Sequence, residues 1–330
     1  MKLATYQDGS RDGQLLVVSR DLRLAHYTSQ IANRLQQLLD DWNYLSPQLQ
    51  DLSDALNAGK ARHAFPFDSR QSMAPLPRAY QWVQGNGYAS LSAVQEPSRQ
   101  PQLAQGSGAN LWGATAPIVC ANAAWGVDFG AGLAVVTGDI PMDCASDRAL
   151  DGVRLLMLCN AVQLQAGDLG TLQLGAAFSP VAVTPDELGE AWSRGRVQGQ
   201  LHVTWNGRKV GMCDAGADMH FHFGRLLSAL AQARAVPAGT IVGSGTVGNK
   251  AIERKGRAEW PQGYSSIAQK RAMETVQDGQ PSTDFMQAGD TVRIELKGPD
   301  GASIFGAIEQ EVVGNGARAV SPASTAAQTP

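Results

Sequence analysis

The spacing of hydrophobic residues changes character once along this chain, near residue 75. Over residues 15–23 the apolar positions cluster as they do in short strands. Over 30–42 they recur at helical spacing, so Ile31, Leu35, Leu38, Leu39 and Trp42 share one face of an expected helix. A second helix is expected at 49–56, ending near Gly59. The segment from Phe65-Pro66-Phe67 to Pro75-Leu76-Pro77 has no period and predicts a linker. A small α+β unit over 1–75 follows from this.

Beyond it the pattern is that of strands and turns with few helices, as in a large sheet-based domain. Residues 153–162 form a continuous apolar run and predict a buried strand. Thr184-Pro185-Asp186-Glu187 has the form of a capping box with proline in the first turn, opening a short helix toward Trp192. Leu201, Val203 and Trp205 alternate into Asn206-Gly207, and Val210 and Met212 follow, a strong hairpin signal. A helix is expected over 223–235, stopped by Pro237. Val292, Ile294 and Leu296 run into Gly298-Pro299-Asp300-Gly301, with Ile304 and Ala307 on the expected return strand. Residues 317–330 are rich in Ala, Ser, Thr and Pro and are expected to be disordered. No internal repeat is evident.

Composition narrows the function classes. The chain has 330 residues, 43% hydrophobic and 17% charged, with a net charge of −3, enough for a large core and without the basic balance of a phosphate-tracking surface. Neither nucleic acid nor membrane is an expected partner: no apolar run reaches the roughly 18 residues of a membrane span. The opening residues lack the apolar stretch of a secretory signal, so a cytoplasmic location is expected. The four cysteines, Cys120, Cys144, Cys159 and Cys213, include no Cys-x-x-Cys pair and are expected to act as small buried hydrophobes.

The most informative stretch is 125–140, an apolar strand closed by Thr137-Gly138-Asp139, in which Gly130 and Gly132 point to the same side of the pleat. Glycine weakens a strand, so a close approach or a vacated space is expected at that pair. The chain resembles the fumarylacetoacetate hydrolase family in this stretch and in several others. These are Phe65-Pro66-Phe67-Asp68, the run from Met73 to Tyr80, Asp128 to Asp139, Phe178-Ser179-Pro180-Val181, Gly239 to Val247 and Gly289-Asp290-Thr291-Val292. The resemblance spans nearly the whole chain. It implies an α+β, mostly β protein: a fumarylacetoacetase-like mixed β-roll domain over 76–316, preceded by the small α+β domain, and a homodimer. It also implies Mg²⁺ or Ca²⁺ over the mouth of the roll, holding a β-diketone or 2-oxo acid while a histidine and a glutamate activate water.

Position by position, the resemblance implies a site from which the ionisable groups have gone. The family's Glu-x-Glu pair falls on Gly130 and Gly132, its third carboxylate on Ala161, and an upstream aspartate on Gln84. Its catalytic histidine falls on Leu91, its lysine on Gln173 and its glutamate on Gln269, while Tyr88, Ser244, Gly245 and Thr246 remain as uncharged lining. Hard cations require anionic or carbonyl oxygens, which glycine and alanine side chains lack, so neither a metal nor another cofactor is expected. Leucine takes no proton from water and glutamine does not titrate, so the family's hydrolysis is expected to be lost.

Other features have plainer explanations. Gly243-Ser244-Gly245-Thr246-Val247-Gly248 matches the letter of a dinucleotide fingerprint, but no apolar helical face follows it, and a tight turn lining the pocket is expected instead. His220 and His222, read as a strand, share a face near Asp214 and Asp218, and solvated or structural roles are expected for them. Lys250, Arg254 and Arg271 read as surface charges able to draw an anionic ligand. Asp128 and Asp139 read as strand terminators. Two functions fit this pattern. One is a metal-independent enzyme that orients a small oxo, diketo or anionic molecule for rearrangement, cyclisation or dehydration. The other is a non-catalytic pseudoenzyme that binds a ligand or an active paralogue. A hydrolase that recruits new ligands such as Asp128 or His220 is the remaining reading.

Overall fold

The computed structural model describes residues 1–88, 99–109, 111–122, 124–166, 170–298 and 301–314. Its amino-terminal part supplies strands β1 (Lys2–Tyr6), β2 (Gln14–Val18) and β3 (Leu24–Tyr27), helices α1 (Leu35–Asp40) and α2 (Trp42–Asn57), and β4 (Phe65–Pro66). Then come β5 (Gln81–Gly85), β6 (Leu103–Gly106), β7 (Ile118–Cys120), β8 (Gly126–Asp128), β9 (Ala131–Thr137), α3 (Ser146–Leu150), β10 (Val153–Gln165), β11 (Thr171–Phe178) and β12 (Ala182–Val183). Next are α4 (Pro185–Leu188), β13 (Trp192–Ser193), β14 (Arg196–Val197), β15 (Gln200–Trp205), β16 (Arg208–Asp214) and α5 (Phe223–Ala231). The chain closes with β17 (Thr240–Thr246), the hairpin β18 (Ile252–Arg254) and β19 (Arg257–Glu259), α6 (Ile267–Asp278), β20 (Thr291–Lys297) and β21 (Ile308–Gly314).

Two sheets carry the fold. The larger has 12 strands, with the path β4-β3-β2-β1-β12-β10-β9-β17-β5-β6, and β8 and β11 also pair with β10. It is mixed, since β17 runs parallel to β5 while its other pairings are antiparallel. The second has the order β16-β15-β20-β21-β7. Lys2 pairs with Val183 and Leu3 with Ala182, so the first strands extend the same sheet as the long core strands.

Alternation along β9 assigns each face of the large sheet to a different core. Leu133 and Val135 join one apolar cluster with β15, β20 and α5, through Leu201, Ile294 and Phe223. Ala134 and Val136 join another with Leu38, Leu39 and Leu49 of α1 and α2. The leucine, valine, isoleucine and phenylalanine side chains among these each contribute about 1.5–3 kcal/mol when fully buried. Gly130 and Gly132 have the parity of the second face.

Several expectations are corrected here. Of the helix expected over 30–42 only Leu35–Asp40 forms, and Asp41 divides it from the helix expected at 49–56, which begins already at Trp42 and contains Pro47. The helix continues through Pro47 because Leu45, Leu49 and Leu56 bury one continuous stripe. Phe65 and Pro66, expected in a linker, pair with β3, and Phe65 and Phe67 pack on Tyr6. α4 starts at Pro185 as the capping box implies, but Thr184 makes no side-chain cap, because its hydroxyl accepts the Met1 ammonium at 2.6 Å. α5 ends at Ala231, four residues before the expected end. The strand returning from β20 begins at Ile308, beyond Ile304 and Ala307. The hairpin at Asn206-Gly207 forms as expected, with both residues at positive φ (49° and 73°). Residues 317–330 lie outside the described residues. Among those described, no helix is long and apolar enough to cross a membrane.

Candidate functional site

The strand expected over 125–140 is interrupted at Phe129–Gly130, between β8 and β9, and that interruption brings three backbones together. Gly130 donates its N–H to Asn160 Oδ1 at 2.9 Å and accepts from Ala161 N–H at 2.9 Å. A Cβ placed on Gly130 would lie 2.6 Å from the Ala161 carbonyl oxygen and 3.3 Å from Thr246 Oγ1. On Gly132 it would lie 2.5 Å from the Gly245 carbonyl oxygen and 3.4 Å from Cys159 Sγ. Neither glycine has positive φ, so contact rather than backbone conformation requires them. Gly245 does have positive φ (82°), and the register of β17 on β9 shifts between Gly243 and Thr246, which presses this turn onto Gly132.

Three of the polar side chains expected to line a pocket, Tyr88, Ser244 and Gln269, are spent inside the protein. Tyr88 is buried and its hydroxyl donates to Ala215 O at 2.5 Å, and burial pushes the phenol above its ordinary range. Ser244 accepts from Leu133 N–H at 3.1 Å and donates to Gly245 O at 2.7 Å. Gln269 accepts from Ser265 N–H at 2.8 Å and donates to Val247 O at 3.0 Å, acting as a strut between α6 and the end of β17. Gln84 leaves no room for a Cβ on Gly243, and its Oε1 is buried without a partner. Gln173 is exposed on β11, with Oε1 2.8 Å from where a Gly106 Cβ would sit. Ala161 is buried, and Thr246 is half-buried beside Gly130. Leu91 lies outside the described residues. The structure therefore brings Gly130, Gly132, Ala161, Ser244, Gly245 and Thr246 together directly, and places Gln84 one strand away across β17.

Two residues that sequence reasoning missed hold this arrangement. Asn160 passes the Gly130 hydrogen bond on through Nδ2 to Gln310 Oε1 at 2.9 Å, and Gln310 donates to Ala116 O at 2.6 Å. Both are buried, and each polar end is paired, as buried amides require. Asp128 is the second correction. It does more than end a strand: Oδ1 accepts from Ile267 N–H at 2.7 Å and Oδ2 from Ala268 N–H at 3.0 Å, so it caps α6 from a distant part of the chain. Burial pushes its carboxyl up to about 7, against the pull of those two N–H groups and of Arg271. A carboxyl raised from 3.8 to about 7 binds a proton more tightly in the folded state. Its contribution to stability is then complete below pH 4 and is lost as pH rises through 7. Wild type is expected to lose thermal stability relative to Asp128→Asn across that window. A difference that grows the other way would contradict this.

The remaining candidates have structural roles. His220 and His222 do not lie on a strand. His220 is exposed with its ring 4.4 Å from that of Phe221, and His222 precedes α5 with Nδ1 buried and unpartnered. Asp214 accepts from Gly216 and Ala217 N–H groups, and Asp218 from Asn249 and Lys250. Arg254 pairs with Glu259 at 3.7 Å, while Arg271 donates to Thr283 O and lies over the Phe285 ring. Asp139 accepts from Ala238 N–H at 2.9 Å. The glycine-rich run over 243–248 leads into the β18–β19 hairpin, not into a helix, so it lacks the architecture of a dinucleotide site. Among the described residues, no group of three or more His, Cys, Asp or Glu side chains is placed to hold a metal.

A two-sheet α+β fold with this strand order defines the class, and comparison with known proteins specifies it. Residues 1–78 match the family model for fumarylacetoacetase N-terminal domain 2, and residues 80–313 match that for the fumarylacetoacetate hydrolase C-terminal domain. The chain belongs to the fumarylacetoacetate hydrolase family. Similar solved structures include maleylpyruvate hydrolase from Sphingobium sp. SYK-6, in complex with manganese(II) and pyruvate (15% identity, 95% of this chain and 99% of that one, TM-score 0.64). Fumarylacetoacetate hydrolase from Exiguobacterium antarcticum (15%, 96% and 100%, 0.65) and 2-hydroxyhepta-2,4-diene-1,7-dioate isomerase from Mycobacterium marinum (16%, 96% and 100%, 0.58) are also similar. At these identities the likeness is one of fold. No curated protein matches the sequence. The residues present do not fit a divalent cation at the positions that the resemblance assigns to its ligands: Gly130, Gly132 and Ala161 offer no side-chain oxygen, and a Cβ at 130 or 132 would stand 2.6 or 2.5 Å from the carbonyl oxygen of Ala161 or Gly245.

Proposed function

We propose that this chain is a metal-independent member of the family, which binds a small oxo or diketo molecule and acts on it by placement, in a rearrangement, cyclisation or dehydration. The observation that carries this reading is the contact at Gly130 and Gly132, where backbone carbonyls occupy the space that ligand side chains would need. Thr246 and the Gln84 carboxamide are the groups left for orienting an uncharged oxygen. Hydrolysis has no support in this arrangement, since Gln269 is a fixed, non-titrating strut. A second reading, binding without turnover, is favoured by one specific feature: Tyr88 and Ser244 already donate their hydroxyl protons to backbone carbonyls.

Calorimetric titration with acetylacetone and with pyruvate, each in chelator and again with added Mn²⁺, tests the proposal. Binding of either that is unchanged by the metal is expected. Binding that appears only with Mn²⁺ would contradict metal independence. Conversion of the bound compound, followed by mass spectrometry, separates the enzyme from the binding protein.

A further inference from the structure

The turn that joins β15 to β16 carries a reactive dipeptide in a restrained setting. An asparagine followed by glycine is open to deamidation, because the glycine nitrogen, uncrowded by any side chain, can attack the asparagine Cγ. That step forms a Cγ–N bond and releases the side-chain nitrogen as ammonia, and water then opens the cyclic imide to aspartate or isoaspartate. The sequence has three such pairs, at Asn86, Asn206 and Asn315, and the last lies outside the described residues. At Asn86 the attacking group is engaged: Gly87 is buried and its N–H donates to Ser244 O at 2.7 Å. The other pair is open, since Asn206 and Gly207 are both exposed and a Cβ on Gly207 would meet nothing within 4 Å.

What restrains Asn206 is the fixing of its own carboxamide. Nδ2 donates to Asp290 Oδ1 at 2.7 Å, and Oδ1 accepts from Thr291 N–H at 2.8 Å. Asp290 is in turn held by Gln287 N–H, which donates to Oδ2 at 2.9 Å, and Asn206 N–H donates to Thr291 O at 2.9 Å. The bond to Asp290 is charge-assisted, the stronger kind. Ring closure requires the carboxamide to turn onto the Gly207 nitrogen and give up both partners. We propose that Asn206 is a deamidation site held closed by the Asp290 carboxylate. Once formed, the product does not return to this arrangement. An aspartate at 206 would set its carboxylate against that of Asp290 where a hydrogen bond now spans 2.7 Å, and isoaspartate would add a methylene to a two-residue turn with positive φ at both positions (49° and 73°). Either product releases the tip of the β15–β16 hairpin from the start of β20.

The experiment is incubation of the full-length protein at mildly alkaline pH, with deamidation at each asparagine followed by peptide mapping and mass spectrometry. Asn206 in the folded protein is expected to react more slowly than in a synthetic peptide of residues 202–210, which lacks Asp290. In Asp290→Ala its rate is expected to rise about fivefold, the weight of one such hydrogen bond, with Asn86 unchanged. A second set of variants reads the same contact through stability. Asn206→Asp is expected to lower the thermal midpoint. Adding Asp290→Asn is expected to recover it, because the new Nδ2 donates to the carboxylate at 206 while Oδ1 still accepts from Gln287. Equal Asn206 rates in wild type and Asp290→Ala, a wild-type rate as fast as the peptide's, or an Asn206→Asp protein of undiminished stability would overturn the proposal. None of these results depends on whether the protein binds an oxo compound.

Discussion

Replacing Gly132 with alanine is expected to lower the stability of the protein by about 3 kcal/mol, the upper end of the usual cost of overpacking. The new Cβ would stand 2.5 Å from the Gly245 carbonyl oxygen, which is backbone and cannot swing aside as a flexible side chain can. Gly245 is itself held at positive φ in a turn pressed onto β9, so relief requires moving β17 as a unit. Denaturant titration measures the loss directly, and a fall in thermal midpoint of roughly 6–12 °C is expected for a domain of this size. Gly132→Glu is expected to fare no better and to leave metal affinity unchanged. A Gly132→Glu protein of wild-type stability that binds Mn²⁺ would show that the backbone yields easily, and would remove the main objection to a metal at this position.

The second large effect is expected at Asn160. Replacing it with leucine leaves the Gly130 N–H and one end of the Gln310 carboxamide buried without partners, at a cost of about 2–4 kcal/mol. Gln310→Leu alone breaks the same chain from the other end. Because the two residues serve one network, the double variant is expected to lose clearly less than the sum of the single losses. Strict additivity in a double-mutant cycle would mean that the two amides do not act together.

How far these features could be read from sequence depends on how local their causes are. Asn206-Gly207 specified its hairpin because two adjacent residues must both adopt positive φ, a demand that few dipeptides meet. The glycines at 130 and 132 announced a close approach, although nothing in the sequence shows that the approaching groups are the carbonyls of Ala161 and Gly245. Asn160 carried no signal. Its partner Gln310 lies 150 residues away, and its role arises only when β10 and β21 pack together. Asp128 was misread for the same reason: the N–H groups it caps lie 139 residues further on. Thr184 shows the reverse case, where a correct local motif is diverted because the hydroxyl meets the Met1 ammonium instead of its own helix. That the positions the resemblance assigns to ionisable groups carry none is a reading of the sequence, whereas the approach of the Ala161 and Gly245 carbonyls to Gly130 and Gly132 is visible only in the fold.

Both large effects, and the proposed function with them, depend on the close packing of β9 against β10 and β17 at the positions that the resemblance assigns to metal ligands. Elemental analysis of the purified protein, after equilibration with Mg²⁺, Ca²⁺ and Mn²⁺ and removal of unbound ions, tests that most directly. The account predicts far less than one divalent ion per chain. One ion per chain, lost on Gly130→Ala or Gly132→Ala, would contradict it.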